Sequence, residues 1–391
     1  MITILARFFM KKAHGNYSDQ GVRRSYGILC SVVGIFLNLL LFCGKYIAGT
    51  ISGSIAITAD AFNNLSDGGS SLITLVGFKF SGMKPDKEHP FGHGRIEYIS
   101  GFSVSVAIIL MGFELAKSSV IKLFHPSPVE ASWLSMTILL ASIGVKLYMF
   151  TYNRSIGKKI NSEAMRATAT DSLSDSVATS AVLLSMAISM IWGVNVDAWG
   201  GILVAVFILR AGYGAAKDTL VPLLGGAPDP NLVREIRDVV MSHDAIVGIH
   251  DLVVHDYGPG RIMISLHGEV PEDGNILEIH EQIDHIEKEL TERLGCEAVI
   301  HMDPIATKDE TVAAAREKVA ELVRELGPQM SIHDFRMVQG TDNTNLIFDA
   351  VVPIESSLSE DEAKRAIEKL VEEKLPHCHA VVHIDKDYTE K

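Results

Sequence analysis

The chain has 391 residues, enough for two or three domains, and carries a net charge of −13. Its four cysteines, Cys30, Cys43, Cys296 and Cys378, are scattered without paired spacing, which excludes a disulfide framework and a zinc ribbon. Residues 218–391 carry 16 Lys and Arg against 36 Asp and Glu, a balance that argues against a nucleic-acid partner and suits a soluble domain that handles cations.

The first half is apolar and slightly basic. Six apolar segments of about 20 residues can each cross a hydrocarbon core about 30 Å thick. They lie at residues 28–49, 55–79, 99–124, 132–153, 171–192 and 198–216. We therefore predict an N-terminal segment over 1–27 and a membrane domain of six transmembrane helices over 28–217. Lys and Arg concentrate before the first segment and after the second and fourth, which predicts that both termini are cytoplasmic.

Polar side chains interrupt two of these segments with the same spacing. Asn63 and Asp67 are four residues apart in "ADAFNNLSD", and Asp171 and Asp175 are four apart in "RATATDSLSDSVATS". Each pair shares one face of a helix. Helix caps or interhelical hydrogen bonds are the alternative reading. A carboxylate inside the bilayer costs at least a few kcal/mol, however, and two matched pairs favour a cation site built from oxygen ligands.

Several linked motifs resemble one known family, the cation diffusion facilitators. "LNLLLFCGKYIAGTISGSIAITADAFNNLSD" is similar to the family's first two spans, with Asn38, Lys45 and Asp60 in their usual places. "KPDKEHPFGHGRIEYISG" is similar to the loop that follows, "RATATDSLSDSVATS" to the fifth span, and "VIHMDP" to the end of the cytoplasmic domain. The resemblance runs from about residue 28 to about residue 305.

The resemblance implies a homodimeric exporter of divalent metal ions driven by proton antiport. Such a protein is a secondary transporter in the bacterial plasma membrane rather than an enzyme, and its metal is a substrate rather than a cofactor. The transport site implied by the motifs consists of Asn63, Asp67, Asp171 and Asp175. A membrane-tethered metal sensor is an alternative, but a simple anchor has no need to bury acids. No motif typical of a membrane enzyme is present.

The ligand types of this quartet indicate which metal ion is transported. Zinc-transporting members of the family generally place a histidine at the position of Asp171, whereas this quartet offers only oxygen. Asn-Asp-Asp-Asp resembles the manganese branch, and carboxylate oxygen suits Mn²⁺. We predict Mn²⁺, with Zn²⁺, Fe²⁺ and Co²⁺ as alternatives. Three neighbouring carboxylates repel one another when all are ionised, so we expect them to hold a proton without metal and to release it on metal binding.

A second candidate metal site lies in the loop "MKPDKEHPFGHGR". Asp86, His89 and His93 would face one way on a helix, and similar family members bind a metal here. Pro85 and Pro90 argue against a regular helix, and solvated loop histidines are the alternative.

The cytoplasmic half begins with a unit of order αββαβ over residues 218–307, the order of the family's ferredoxin-like cytoplasmic domain. Its predicted elements are a helix at 230–242, strands at 249–256 and 261–269, a helix at 275–294 and a strand at 297–303. Five of its residues match positions that bind metal at the dimer interface in zinc members: His250, His267, His280, His301 and Asp303. Surface histidines on an acidic domain are the alternative.

The remaining residues, 308–391, repeat the first unit. "SIHDF" at 331–335 echoes "GIHDL" at 248–252, and "AVVHID" at 380–385 echoes "AVIHMD" at 298–303. An internal duplication is the simplest account, and it predicts a second αββαβ domain. The copy keeps His333, His383 and Asp385 but has Asp349 in place of His267. This partial loss favours a structural role, as an extension of the dimer surface, over metal binding.

Overall fold

A computed structural model describes residues 17, 20–52, 55–125, 133–192, 194, 196–305, 309–339, 343–353, 356 and 358–387. The chain divides into two compact units. The first lies within residues 1–226 and takes in 256–261, and the second lies within 227–255 and 262–391. Most of the predicted N-terminal segment, 1–27, falls outside the described residues.

The first unit is built from six long helices, and each predicted apolar segment falls on one of them. Their bounds are Gln20–Ser52 (α1), Ile55–Ser81 (α2), Ile96–Phe124 (α3), Trp133–Lys159 (α4), Glu163–Trp192 (α5) and Asp197–Leu220 (α6). α1 begins at Gln20, earlier than the predicted start at residue 28.

By length and apolar composition, five of the described helices can cross a membrane: α1, α3, α4, α5 and α6. α2 is long enough but is more polar, because Asp60, Asn63, Asn64 and Asp67 fall in its first half. Large apolar side chains such as Leu110 and Leu203 stand exposed on the outside of the helices, as expected for surfaces that contact lipid.

Small and hydroxyl residues let the helices of this unit approach closely. A Cβ atom added to Gly101 of α3 would lie 2.9 Å from the Cα atom of Ala164 on α5, so these two backbones are in direct contact. The hydroxyl oxygens of Thr74 on α2 and Thr168 on α5 are 2.8 Å apart and hydrogen bonded. This packing brings together the two helices that carry the predicted ligand pairs.

The second unit begins with five elements close to those predicted. They are Pro230–Met241 (α7), Gly248–Asp256 (β1), Ile262–Pro271 (β2), Ile276–Leu294 (α8) and Cys296–Ile305 (β3). β2 lies between β1 and β3 and pairs with β3 in parallel. The alternating buried side chains of β2, including Ile264 and Leu266, pack against Ile236 of α7 and Ile286 and Leu290 of α8.

Residues 310–387 form a second helix-strand-strand-helix-strand series. Its elements are Glu310–Leu326 (α9), Ser331–Gln339 (β4), Thr344–Pro353 (β5), Glu360–Lys374 (α10) and Cys378–Asp387 (β6). β5 is the central strand, antiparallel to β4 and parallel to β6. Phe348 and Leu346 of β5 pack against Val323, Ile367 and Val371 in a separate core.

A capping box fixes the start of α10. The Ser359 hydroxyl accepts a hydrogen bond from the Glu362 backbone N–H, and the Glu362 carboxylate accepts one from the Ser359 backbone N–H. This second bond holds the pKa of Glu362 below its usual range. The stabilisation from Glu362 is therefore present above its ordinary pKa and is lost as the pH falls through the lowered value.

We predict that Ser359→Ala lowers the opening free energy of the first turn of α10 by about 1 kcal/mol, the typical cost of losing an N-cap. Hydrogen–deuterium exchange of the first-turn amides would measure this effect. The first turn of α8, which is capped by Asn275, serves as the internal control. Unchanged exchange in α10 would show that the cap contributes nothing there.

Candidate functional site

One carboxylate from each predicted ligand pair, on α2 and on α5, contacts a buried lysine on α4. The Nζ atom of Lys146 lies 2.7 Å from Oδ2 of Asp67 and 2.6 Å from Oδ2 of Asp175. The Lys146 side chain is only 3% exposed. Taking these charges out of water is costly, and their attraction repays the cost only in close geometry such as this. The cluster is therefore a charged centre inside the helical bundle.

Asp171 lies one turn before Asp175 on α5 and is also buried. Its Oδ1 atom has no hydrogen-bond partner among the described residues. A buried carboxylate oxygen without a partner is rare and points to a ligand or a proton. Asn63 lies one turn before Asp67 on α2, but its side chain is exposed. The structure therefore joins Asp67 and Asp175 through Lys146, with Asp171 one turn away on α5 and Asn63 outside the cluster.

Lys146 did not figure in the sequence-based prediction of this site, although a signal was present. It stands alone in the apolar run "ASIGVKLYMF" in the middle of α4. An ionisable residue inside a membrane segment marks a functional site by default, and its partner is normally another buried charge.

A second ion pair, between a buried lysine and a half-buried carboxylate, accounts for Asp60. The Nζ atom of Lys45 on α1 lies 2.8 Å from Oδ2 of Asp60 on α2. This pair joins the first two helices and leaves Asp67 as the α2 carboxylate in the lysine-centred cluster.

The loop between α2 and α3 gathers Asp86, His89 and His93 without forming a helix. Asp86 Oδ1 accepts hydrogen bonds from the backbone N–H groups of His89 and Glu88, which hold the pKa of Asp86 below its usual range. Its Oδ2 lies 3.4 Å from Nε2 of His93. One potential ligand atom from each of Asp86, His89 and His93 falls within 4.8 Å of the others, close enough to bind one ion.

In the first αββαβ series, His250, His267 and Asp303 come from three neighbouring strands. Oδ2 of Asp303 lies 3.1 Å from Nε2 of His250 and 2.8 Å from Nδ1 of His267. His301 lies against His267 at the edge of this group, with 4.8 Å between ring centroids and the rings tilted by 51°. His280 is elsewhere: it is exposed on α8 beside Asp284. Four of the five predicted residues therefore lie together.

Comparisons with known proteins identify the family of the chain. Residues 31–224 match the cation efflux transmembrane domain, and residues 228–305 match the cytoplasmic domain of cation efflux proteins. An uncharacterized transporter of Methanocaldococcus jannaschii is 30% identical over 277 residues, which cover 71% of this chain and 96% of that protein. The chain belongs to the cation diffusion facilitator family.

Other members of the family are similar to the chain as well. The cation-efflux pump FieF of Cronobacter sakazakii is 28% identical over 287 residues, and that of Escherichia fergusonii is 26% identical over the same length. Each alignment covers 72% of this chain and 95% of the pump. This cation diffusion facilitator is therefore a transmembrane transporter that moves metal cations, and it is not an enzyme.

Proposed function

We propose that this transporter exports divalent metal cations from the cytoplasm and prefers Mn²⁺. The observation that carries the proposal is the arrangement of Asp67, Asp171 and Asp175 around one buried lysine. These residues offer carboxylate oxygen without imidazole or thiolate, a ligand set that suits Mn²⁺ better than Zn²⁺. Relatives named cation-efflux pumps support outward transport.

The topology that fits this function has α2 as the sixth span, both termini in the cytoplasm and two protomers in a plasma membrane. α2 can span despite its polarity because Asp67 faces Lys146 in the bundle and Asp60 is paired with Lys45. We propose Asn63 as the fourth ligand, brought to the site by a rotation of α2 in the metal-bound state. Residues 309–387 are a duplicated copy of the cytoplasmic domain.

Lys146 gives the transport cycle an internal counter-ion. Without metal, its ammonium group donates hydrogen bonds to both Asp67 and Asp175 and offsets one of their two negative charges. A divalent cation that enters must displace this group, and Lys146 returns when the cation leaves on the other side. We assign the exchanged proton to Asp171, because a buried carboxylate whose Oδ1 atom accepts no hydrogen bond is cheaper to keep neutral than ionised. Rocking of the helices would expose this site to each side in turn.

The experiment that tests the proposal is metal uptake into proteoliposomes under a pH gradient. We expect the parent protein to move Mn²⁺ in preference to Zn²⁺. Asp171→His adds an imidazole and should shift the Mn²⁺/Zn²⁺ uptake ratio towards Zn²⁺ by about tenfold, equivalent to about 1.4 kcal/mol.

Two controls make the result specific. Asp218→Asn removes an exposed carboxylate from the end of α6 and should leave the Mn²⁺/Zn²⁺ ratio unchanged. Collapse of the pH gradient should stop concentrative uptake. If the parent and the Asp171→His variant both prefer Zn²⁺, the argument that oxygen-only ligands select Mn²⁺ is wrong.

A further inference from the structure

The second αββαβ series gathers a group of metal-ligand side chains of its own. His333 of β4 and Asp349 of β5 are opposite one another in the strand register, and Asp385 stands on β6. The Nε2 atom of His333 lies 3.1 Å from Oδ2 of Asp385. One potential ligand atom from each of the three residues falls within 4.8 Å of the others. Three strands thus direct one imidazole and two carboxylates to one point.

The His333 ring is buried beside carboxylates but makes no hydrogen bond of good geometry with them. The residue is 5% exposed, and neither ring nitrogen makes a hydrogen bond to any described residue. Leaving a buried polar group unsatisfied is energetically costly. A cation bound to one nitrogen would remove part of this cost and would also neutralise Asp349 and Asp385. Surface histidines with a purely structural role have no such need.

The two αββαβ series meet at this point. The His250 ring of β1 stacks on the His333 ring with 4.2 Å between centroids, and Oδ1 of Asp251 lies 3.9 Å from Nε2 of His333. Each histidine is followed by an aspartate with positive φ, 53° at Asp251 and 50° at Asp334. Such a backbone is strained for a residue other than glycine and is typical of functional sites. The repeated bend presents equivalent histidines to each other.

Two further features support a site between the series. Nη2 of Arg316 on α9 lies 3.2 Å from Oε2 of Glu269 on β2, a bridge that holds the series together. A cleft of about 910 Å³ is lined by His250, Asp251, His333 and Asp385, so an ion has a path to the ligands.

We propose that His333, Asp349 and Asp385 bind a divalent first-row transition-metal cation, with Asp251 of the first series at its edge. The neighbouring group of His250, His267 and Asp303 has two imidazoles and one carboxylate, whereas this one has one imidazole and two carboxylates. The His333 site should therefore favour a harder ion such as Mn²⁺ more strongly than its neighbour does. The replacement of His267 by Asp349 changes the ligand and does not abolish the site.

The test counts the ions bound to the full-length protein in detergent. After equilibrium dialysis against Mn²⁺, elemental analysis should show about one ion per chain fewer for Asp349→Asn and for Asp385→Asn than for the parent. His379→Gln is the matched control, because His379 stands on β6 beside Glu372, outside the group, and this variant should keep the parent count. Asp385→Glu, which restores the carboxylate, should recover the lost ion.

Because the readout is binding, its result is independent of transport. Asp171→Asn should lose the ion bound in the membrane domain and retain the ion bound at His333. Loss of binding at each of the two sites is therefore measured separately. Circular dichroism and gel filtration of each variant verify folding, and the two isosteric variants change different strands. If both are folded and bind as many ions as the parent, the proposed site is wrong.

Discussion

Lys146→Met should destabilise the metal-free transporter and strengthen its response to metal. The substitution keeps an unbranched side chain but removes the charge that lies 2.7 Å from Asp67 and 2.6 Å from Asp175. Removing one partner of a buried ion pair typically costs about 3–5 kcal/mol, because the other charge stays buried and uncompensated. A divalent cation can replace the lost ammonium group. Thermal unfolding in detergent should therefore show a lower Tm without Mn²⁺ and a larger rise with Mn²⁺ than the parent shows.

The same substitution should slow transport, since no internal cation returns to displace the metal. Lys146→Arg keeps the charge and should retain more of the parent stability. Lys117→Met is the matched control, because Lys117 forms an exposed pair with Glu114 on α3, and exposed pairs contribute at most about 1 kcal/mol. If Lys146→Met has the parent Tm and the parent response to Mn²⁺, then Lys146 is not the counter-ion of the site.

Asp171→Asn should abolish most transport while leaving the fold intact. The carboxylate is buried on α5, and its Oδ1 atom has no hydrogen-bond partner among the described residues, so an amide of the same shape breaks no bond at that atom. Changes to groups that merely orient metal ligands reduce metal affinity by about 10–100-fold, so loss of a ligand should reduce uptake by about 100-fold or more. Initial rates of Mn²⁺ uptake into proteoliposomes would measure this.

The control variant for this experiment is Asp218→Asn, which removes a carboxylate outside the proposed site. Equal reconstitution of parent and variants, measured by quantitative gel analysis, ensures that rates are compared per transporter. An Asp171→Asn variant that transports Mn²⁺ at the parent rate would exclude Asp171 both as a ligand and as the proton carrier.

Local sequence patterns were sufficient to predict the helices and strands. Apolar runs of membrane-spanning length predicted the long helices, because a bilayer demands that length. The strands predicted for the first αββαβ unit agree with the structure to within two residues at each end.

The contacts between charged residues on different helices could not be predicted from local sequence patterns. Lys146 is 79 residues from Asp67 and 29 from Asp175, and only the packing of α4 against α2 and α5 brings the three together. Asn63 has the right spacing to join them, yet its side chain is exposed in this state. Periodicity defines which residues share a face, whereas the rotation of each helix depends on all of its neighbours.

The repeat at residues 331–385 likewise has elements that the sequence predicted and side-chain contacts that only the folded structure determines. Matching motifs predicted a second αββαβ series, and the presence of Asp349 in place of His267 favoured a structural role for it. The folded chain stacks His333 against His250 and surrounds it with Asp349, Asp385 and Asp251. The sequence thus determined the helices, the strands and the candidate metal ligands, because secondary structure and motif spacing depend on neighbours along the chain. The partners of Lys146 and His333 were decided by packing, because a buried charge or imidazole is satisfied by whatever the fold places beside it.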